Sequence, residues 1–134
     1  MRTIKNTQVR NKAIIFTNNN ELVRVMPERV IYVESDGNYS TMVLQDKSEQ
    51  VFTMNLAHCQ QLIEEQLGEE AAVFVRLGKS LIINHSHIFK INVSKQELWM
   101  SDAQVNQAFK LSASREALKQ LKSWLEKERK ETKK

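Results

Sequence analysis

FVRLGKSLIINH, residues 74–85, contains a short apolar run, LII, that follows Gly78 closely and stops at Asn84. A run of this length between turn-forming residues predicts a buried strand rather than a helix. The five residues RLGKS before it are then the connection into that strand, and they carry two cations, Arg76 and Lys79. A rigid sheet that presents charged loop residues is a common binding arrangement. Ordinary solvated charges produce the same pattern, so the rest of the chain has to decide between the two.

Composition indicates one folded domain in a reducing compartment. The chain has 134 residues, three glycines, one proline and a single cysteine, Cys59. This length can bury a core, and one cysteine excludes an internal disulfide or a cysteine zinc site. The apolar patch at residues 13–16 is too short for a secretory signal core or a membrane span. We therefore expect a soluble, cytoplasmic protein.

The positive charge lies at the two ends of the chain. Residues 1–12 carry four bases and no acid, and residues 115–134 carry eight bases and four acids, whereas residues 13–114 carry eight bases and twelve acids. Basic ends suit a polyanionic partner, although such ends are also common on other soluble proteins.

The order of predicted elements favours a mostly β (α+β) fold of small antiparallel sheets with a middle helix and a C-terminal helix. Turn-forming residues separate the strands, Asn55 and Gly68 bound the middle helix, and Ser112 or Ser114 begins the last helix, which we expect to fray beyond Glu126. The predicted strands span residues 13–17, 21–26, 30–34, 39–44, 50–54, 81–83, 88–93, 97–100 and 108–111. The predicted organisation is a flexible basic arm at 1–12, a folded domain at 13–126 and a charged tail at 127–134.

Residue patterns argue against an enzyme. Three isolated glycines cannot form a phosphate-binding loop, and no serine or cysteine pairs with a histidine and a third catalytic member. His85 and His87 could face one side of a strand as metal ligands, but no carboxylate or cysteine stands near them, so turn histidines are the favoured interpretation. Cys59 lies on the apolar stripe of the middle helix, which favours an inert buried thiol over a redox sensor. We expect neither catalysis nor a cofactor.

Several separated motifs stand in one recognisable order. They are VIYVESDGNY (30–39), Asn55-Leu56 with Leu62, FVRLGKS (74–80) with Ile83-Asn84, and LSAS (111–114) before Leu118 and Leu121. Together they resemble the LytTR-type DNA-binding domain over about residues 13–126. This resemblance implies an elongated β fold whose loops enter successive major grooves of double-stranded DNA, usually at direct-repeat promoter sites.

The resemblance also implies three DNA-contacting loops. Their residues here are Ser40 with Thr41; Arg76, Lys79 and Ser80; and Ser114, Arg115 and Glu116 at the start of the last helix. Arginine and lysine donate to guanine or phosphate, and serines and a helix N-terminus suit phosphate oxygens. We expect Lys79 to read bases. Three positions depart from the family: Gly78, where histidine is common; the region of Ser40, where a basic or histidine side chain is often found; and Glu116, where some members have arginine. The acid at Glu116 favours an altered sequence preference.

The resulting hypothesis is a bacterial transcription regulator that resembles a response regulator without its receiver domain, because only about a dozen residues precede the DNA-binding domain. Trp124 either completes the core or forms part of a surface for a homodimer or a regulatory protein. Two alternatives remain open: an adaptor or anti-regulator of the same fold that no longer reads DNA, and an RNA-binding protein that uses its basic ends.

Overall fold

The computed structural model describes residues 12–102, 104 and 106–132 of the chain. The described strands are β1 (Ile14–Thr17), β2 (Leu22–Val25), β3 (Val30–Ser35), β4 (Ser40–Leu44), β5 (Glu49–Phe52), β6 (Phe74–Leu77), β7 (Leu81–Asn84), β8 (Ile88–Asn92), β9 (Glu97–Asp102) and β10 (Gln107–Ser112). The helices are α1 (Leu56–Leu67) and α2 (Arg115–Thr132), and single 3-10 segments lie at Pro27–Arg29, Gly68–Val73 and His85–His87. The predicted mixture of small antiparallel sheets, a middle helix and a C-terminal helix is confirmed.

A five-stranded antiparallel sheet with the order β5-β4-β3-β7-β6 is the centre of the molecule. β7 is buried along its whole length, as its apolar sequence predicts. The prediction for the segment before β7 was partly wrong, because Arg76 and Leu77 belong to strand β6 and only Gly78–Ser80 form the connection. β6 is an edge strand with one polar position in four, so its sequence alone carries little β signal.

Both faces of this sheet are covered. The β1–β2 hairpin and α1 pack on one face, where Phe16 stacks on Phe52 with ring centroids 4.2 Å apart. The three-stranded sheet β10-β9-β8 and α2 cover the other face, with Leu98, Met100 and Leu118 fully buried. The central strand β3 therefore buries Val30, Ile31 and Val33 on two sides, which explains its continuous apolar sequence.

Both helices begin where the sequence predicts. The Asn55 side chain accepts a hydrogen bond from the backbone N–H of His58 (2.8 Å), and Gly68 ends α1 in a positive-φ conformation. The Ser114 hydroxyl accepts from the N–H of Ala117 (3.1 Å), which selects Ser114 over Ser112 as the cap of α2. α2 continues to Thr132, beyond the point where we expected fraying, so residues 127–132 of the predicted tail belong to this helix.

The remaining parts of the predicted arm and tail, residues 1–11 and 133–134, lie outside the described residues. In the portion of the chain that is described, no helix combines the length and the apolar character that crossing a membrane requires.

Candidate nucleic-acid interface

Two hairpin turns lie side by side at one end of the five-stranded sheet. The β3–β4 turn spans residues 36–39, and the β6–β7 turn spans Gly78–Ser80. They meet because β3 pairs with β7, with Glu34 opposite Leu81, and the N–H of Ser35 donates to the carbonyl of Ser80 (2.9 Å). Two segments that are about 40 residues apart in sequence thus share one surface.

The β6–β7 turn holds its two cations in different ways. Arg76 is exposed, yet its Nη1 donates to Oε1 of Gln60 on α1 (2.8 Å) and its Nη2 donates to the carbonyl of Lys79 (3.2 Å). Lys79 is also exposed, and no described residue hydrogen-bonds to its ammonium group. Arg76 therefore braces the turn against the helix, while Lys79 is left to contact a ligand.

Gly78 gives this turn its shape. Its φ is +66°, and a Cβ atom built on it would meet nothing within 4 Å. The position therefore favours glycine because of backbone conformation and not because of crowding. Lys79 follows Gly78 directly in this turn, and its side chain is exposed.

The start of α2 lies beside the same turn. Ala117 and Leu121 of α2 line a crevice together with Gly78 and Leu77. One helical turn earlier, Ser114, Arg115 and Glu116 are all exposed. The predicted second and third loops are therefore brought together by the packing of α2 on the five-stranded sheet.

Ser40 is placed differently from the expectation. It is fully buried, and its hydroxyl donates to the carbonyl of Met54 (2.8 Å), because alternate residues of β4 face the core and Ser40 shares a face with Met42. Its side chain is not exposed to a ligand in this conformation, and the contact of Ser40 with DNA stays a prediction. Thr41 is half-buried within the sheet, opposite Glu34 and Val51.

The structure adds two residues that sequence reasoning missed. Tyr39 precedes Ser40 in the β3–β4 turn and is 51% exposed. Lys95 is exposed in the β8–β9 turn, and the adjacent Ser94 carbonyl accepts a hydrogen bond from Nη2 of Arg115 (3.2 Å). The turn at Ser94–Gln96 was predicted, but its position next to α2 depends on tertiary packing. The Asn92 side chain fixes this turn by accepting from the backbone N–H of Lys95 (3.0 Å).

The charge at this end of the molecule is net positive. Arg76, Lys79, Lys95 and Arg115 are exposed there, together with the acids Glu34, Asp36 and Glu116. Most of these positions are in turns or at a helix start, which leaves their side chains directed outward from the sheet. The arrangement can bind a polyanion through several separated contacts.

Metal and thiol chemistry have no support in the part of the chain that the structure describes. No cluster of three His, Cys, Asp or Glu side chains occurs among these residues. Nε2 of His87 lies 2.8 Å from the carbonyl oxygen of Glu28, whereas His85 packs edge-on against Trp124 at 5.0 Å between centroids. Burial raises the pKa of the Cys59 thiol to about 11, which keeps it protonated at neutral pH.

Comparisons with known proteins agree on one family. The family model of the LytTr DNA-binding domain matches residues 20–126. The fold is similar to a solved LytTr DNA-binding domain from Bacillus cereus, with a TM-score of 0.54 and 15% sequence identity over 85% of this chain and 96% of that chain. No protein with a curated description matches the sequence. This family binds DNA and is not a catalytic one. Because its model covers most of the chain, and the fold agrees, the protein belongs to the LytTR family of DNA-binding domains.

Proposed function

We propose that this protein is a transcription regulator that reads specific duplex sequences by placing its clustered turns in the major groove, without catalysis. One observation carries the proposal: the β3–β4 turn, the β6–β7 turn and the start of α2 converge at one end of the sheet around Lys79, a cation with no partner among the described residues. Duplex DNA, which has regularly spaced phosphates and base edges that are accessible in its major groove, fits this arrangement.

Each exposed group has a proposed role. Lys79 contacts base edges, and Arg76 and Ser80 contact the backbone beside it. Ser114 and the N-terminus of α2 bind a phosphate oxygen, because unpaired helical N–H groups favour an anion there. Arg115 and Lys95 contact phosphate at the outer edge. Tyr39 adds a contact beside the one predicted for Ser40, and Thr41 lies behind it.

Glu116 is the exception in this set of contacts. An exposed acid in the first turn of α2 is repelled by phosphate, but it can accept a hydrogen bond from cytosine N4. We therefore propose that Glu116 shifts sequence preference at the third loop rather than adding affinity.

The wider organisation is also a proposal. Residues 13–126 act as the DNA-binding module, and the basic segments 1–12 and 127–134 add contacts that do not depend on sequence. Direct-repeat promoter sites, occupied by two copies or by one copy with a regulatory protein, fit a domain that lacks internal symmetry. The proposed place of action is the cytoplasm.

Selection of bound duplexes from a random pool tests sequence reading, and a titration of the selected duplex tests the site. We expect the selected duplexes to share a common sequence motif. We also expect Lys79→Ala to weaken specific binding by about 1–3 kcal/mol. Lys127→Ala is the control, because this exposed lysine lies far along α2 and its removal should weaken binding little and equally for all sequences. Enriched duplexes that share no motif, or a Lys79→Ala variant with unchanged affinity, would contradict the proposal.

A protein adaptor of the same fold is the second candidate. Two features favour it: Gly78 presents no side chain at the centre of the turn, and Glu116 places an acid on the surface. DNA retention that is blind to sequence and insensitive to salt would support the adaptor. Competition by single-stranded RNA in the same titration separates both candidates from an RNA-binding protein.

A further inference from the structure

The outer face of the three-stranded sheet carries a row of three neighbouring side chains, one from each strand. Lys90 on β8 and Lys110 on β10 both pair with Trp99 on β9, so the indole lies between two lysines. The inner face of the same sheet packs Leu98, Met100 and Phe109 into the core, and the row faces away from it.

A bulge adds an aromatic ring to this outer face. The register of β8 and β9 shifts between Ile88, which pairs with Met100, and Lys90, which pairs with Trp99. Phe89 is the extra residue, and it is 72% exposed, more than any other large apolar side chain that the structure describes. Bulges redirect side chains, which accounts for the exposure of the Phe89 ring on this face.

Phe89 borders a concave apolar groove. The groove has a volume of about 460 Å³; Phe89, Trp99 and Ala108 are its solvent-accessible apolar residues, and Lys90 and Asp102 border it. A space of this size accepts one or two apolar side chains of a partner.

The charges around the groove determine which partner fits. Glu97 lies 3.7 Å from the Lys110 ammonium and accepts a hydrogen bond from Trp99 Nε1 (3.3 Å), so this acid is already compensated. Lys90 has no such acid among the described residues. Asp102 also borders the groove, but it is buried, and its carboxylate accepts hydrogen bonds from Gln45 Nε2 and from the N–H of Gln104, so the solvent-accessible charges are two lysines and one glutamate. The rim is therefore positive, and it complements carboxylates that flank an apolar anchor.

Nucleic acid fits this face less well. The Lys110 ammonium lies over the Trp99 ring, 5.8 Å from its centroid, and Glu97 lies at the edge of the same ring. A base cannot stack on a ring face that a lysine covers, and the carboxylate repels phosphate. An apolar peptide side chain can pack against the exposed Phe89 ring and the part of Trp99 that Lys110 leaves open, without stacking on the covered ring face.

We infer that this groove docks an acidic segment of a protein partner, with an apolar side chain of that segment seated between Phe89 and Trp99. The groove lies toward the β9–β10 end of the three-stranded sheet, whereas the Ser94–Gln96 turn beside Arg115 lies at the opposite end. The partner can therefore bind while the proposed DNA surface is occupied, and the docking does not depend on that surface.

Selection of random twelve-residue peptides displayed on phage tests the inference. The full chain and its Phe89→Ser variant serve as parallel targets, and because Phe89 is exposed the variant should melt like the wild type. We expect peptides enriched only on the wild type, each with at least two acids around a Leu, Phe or Trp. Their affinity should fall at least tenfold on Lys90→Glu. Arg24→Glu, an exposed charge reversal on the β1–β2 hairpin, is the matched control and should change affinity little.

Other outcomes would overturn the inference. They are neutral or basic enriched peptides, peptides that bind Phe89→Ser equally well, or peptides insensitive to Lys90→Glu. Self-association in sedimentation that Phe89→Ser abolishes would assign the groove to a second copy of the chain. Competition by a dT20 oligonucleotide would assign it to nucleic acid. Loss of duplex binding in Phe89→Ser would make the groove part of the DNA surface, whereas failure of the DNA proposal alone would leave the peptide result intact.

Discussion

Arg76 and Lys79 show how two neighbouring cations acquire different tasks. The Arg76 guanidinium binds both the Gln60 side chain and the Lys79 carbonyl, so part of its donor capacity serves the turn itself. The Lys79 ammonium makes no hydrogen bond to the described residues. From charge alone the two residues are equivalent, and the difference follows from the geometry of a planar guanidinium with several donors.

Exchanging Arg76 separates its positioning role from its charge. Arg76→Lys keeps the charge but cannot bind both acceptors, so specific DNA affinity should fall by about 1 kcal/mol while its salt dependence stays the same. Arg76→Ala should in addition reduce the salt slope by about 1. Titrations at four salt concentrations measure both quantities. Wild-type affinity in Arg76→Lys would show that the two hydrogen bonds do not position the turn.

Cys59 gives a prediction about pH. Burial raises the pKa of its thiol from 9.0 to about 11, so between these values the unfolded chain loses a proton that the folded chain retains. The free energy of unfolding should therefore be unaffected by this group below pH 9 and should fall as the pH rises toward 11. Urea titrations of the wild type and Cys59→Ala at several pH values measure the difference in slope. Tyr32 adds a fall of the same sign in both proteins, because burial also raises its pKa.

An equal pH slope in Cys59→Ala would contradict this explanation. The same burial predicts that iodoacetamide labels Cys59 only when the chain unfolds. Rapid labelling of the native protein would instead support the redox-sensor alternative.

At the scale of elements, the start of helix α2 has two roles. Its cap stabilises the helix, and the same residues belong to the proposed DNA surface. The Ser114 hydroxyl caps the helix through Ala117, and the same residue stands at the edge of the proposed DNA surface. Caps can be exchanged for other good cap residues without loss of the helix. This makes it possible to change the charge of the site while its shape is kept.

Ser114→Asp should therefore fold normally and bind DNA weakly. Aspartate caps as well as serine and is favoured by the helix dipole, whereas its charge repels a phosphate. Ser114→Ala is the comparison: it should lose about 1 kcal/mol of stability. Thermal unfolding and duplex titration of both variants check this. Native DNA affinity in Ser114→Asp would place the start of α2 away from the phosphate backbone.

The strands divide into those that sequence specifies and those that it does not. β7 is apolar up to Asn84 and bounded by turn residues, so its sequence pattern was sufficient to predict it as a strand. β6 is a short edge strand with an exposed arginine, and only its pairing with β7 defines it. Both bounds of α1 were predicted, and the start of α2 to within two residues, because Asn55, Gly68 and Ser114 act on the backbone within three or four residues of themselves. Local signals of this kind do not require knowledge of the fold.

At the scale of the whole molecule, the proposed binding surface is assembled from segments that are far apart in sequence. The β3–β4 turn, the β6–β7 turn, the Ser94–Gln96 turn and the start of α2 meet because two sheets and a helix pack together. The N-terminal segment, residues 1–12, carries four further bases that are far in sequence from these turns. Specific and non-specific binding should therefore be separable.

Neutralising the N-terminal segment tests this separation. In the full chain, replacing Arg2, Lys5 and Arg10 by Gln should make the dependence of log affinity on log salt shallower by about 0.9 for each phosphate that the segment no longer neutralises. The selected duplex sequence should not change, because base reading belongs to the turns. Selection and salt titration of this variant measure both. A different selected motif would show that these residues read bases.

The sequence by itself determined the strand and turn pattern apart from β6, the bounds of α1, the buried thiol and membership of the LytTR family, because each depends on residues close together or on motifs in a fixed order. Only the tertiary structure decided that Ser40 is buried, that Arg76 binds Gln60, that Lys95 lies beside Arg115, and that Trp99 lies between two lysines. These facts depend on strand register and on packing between distant segments. A shift of one residue in register would exchange the two faces of a strand, and no local pattern encodes that choice completely.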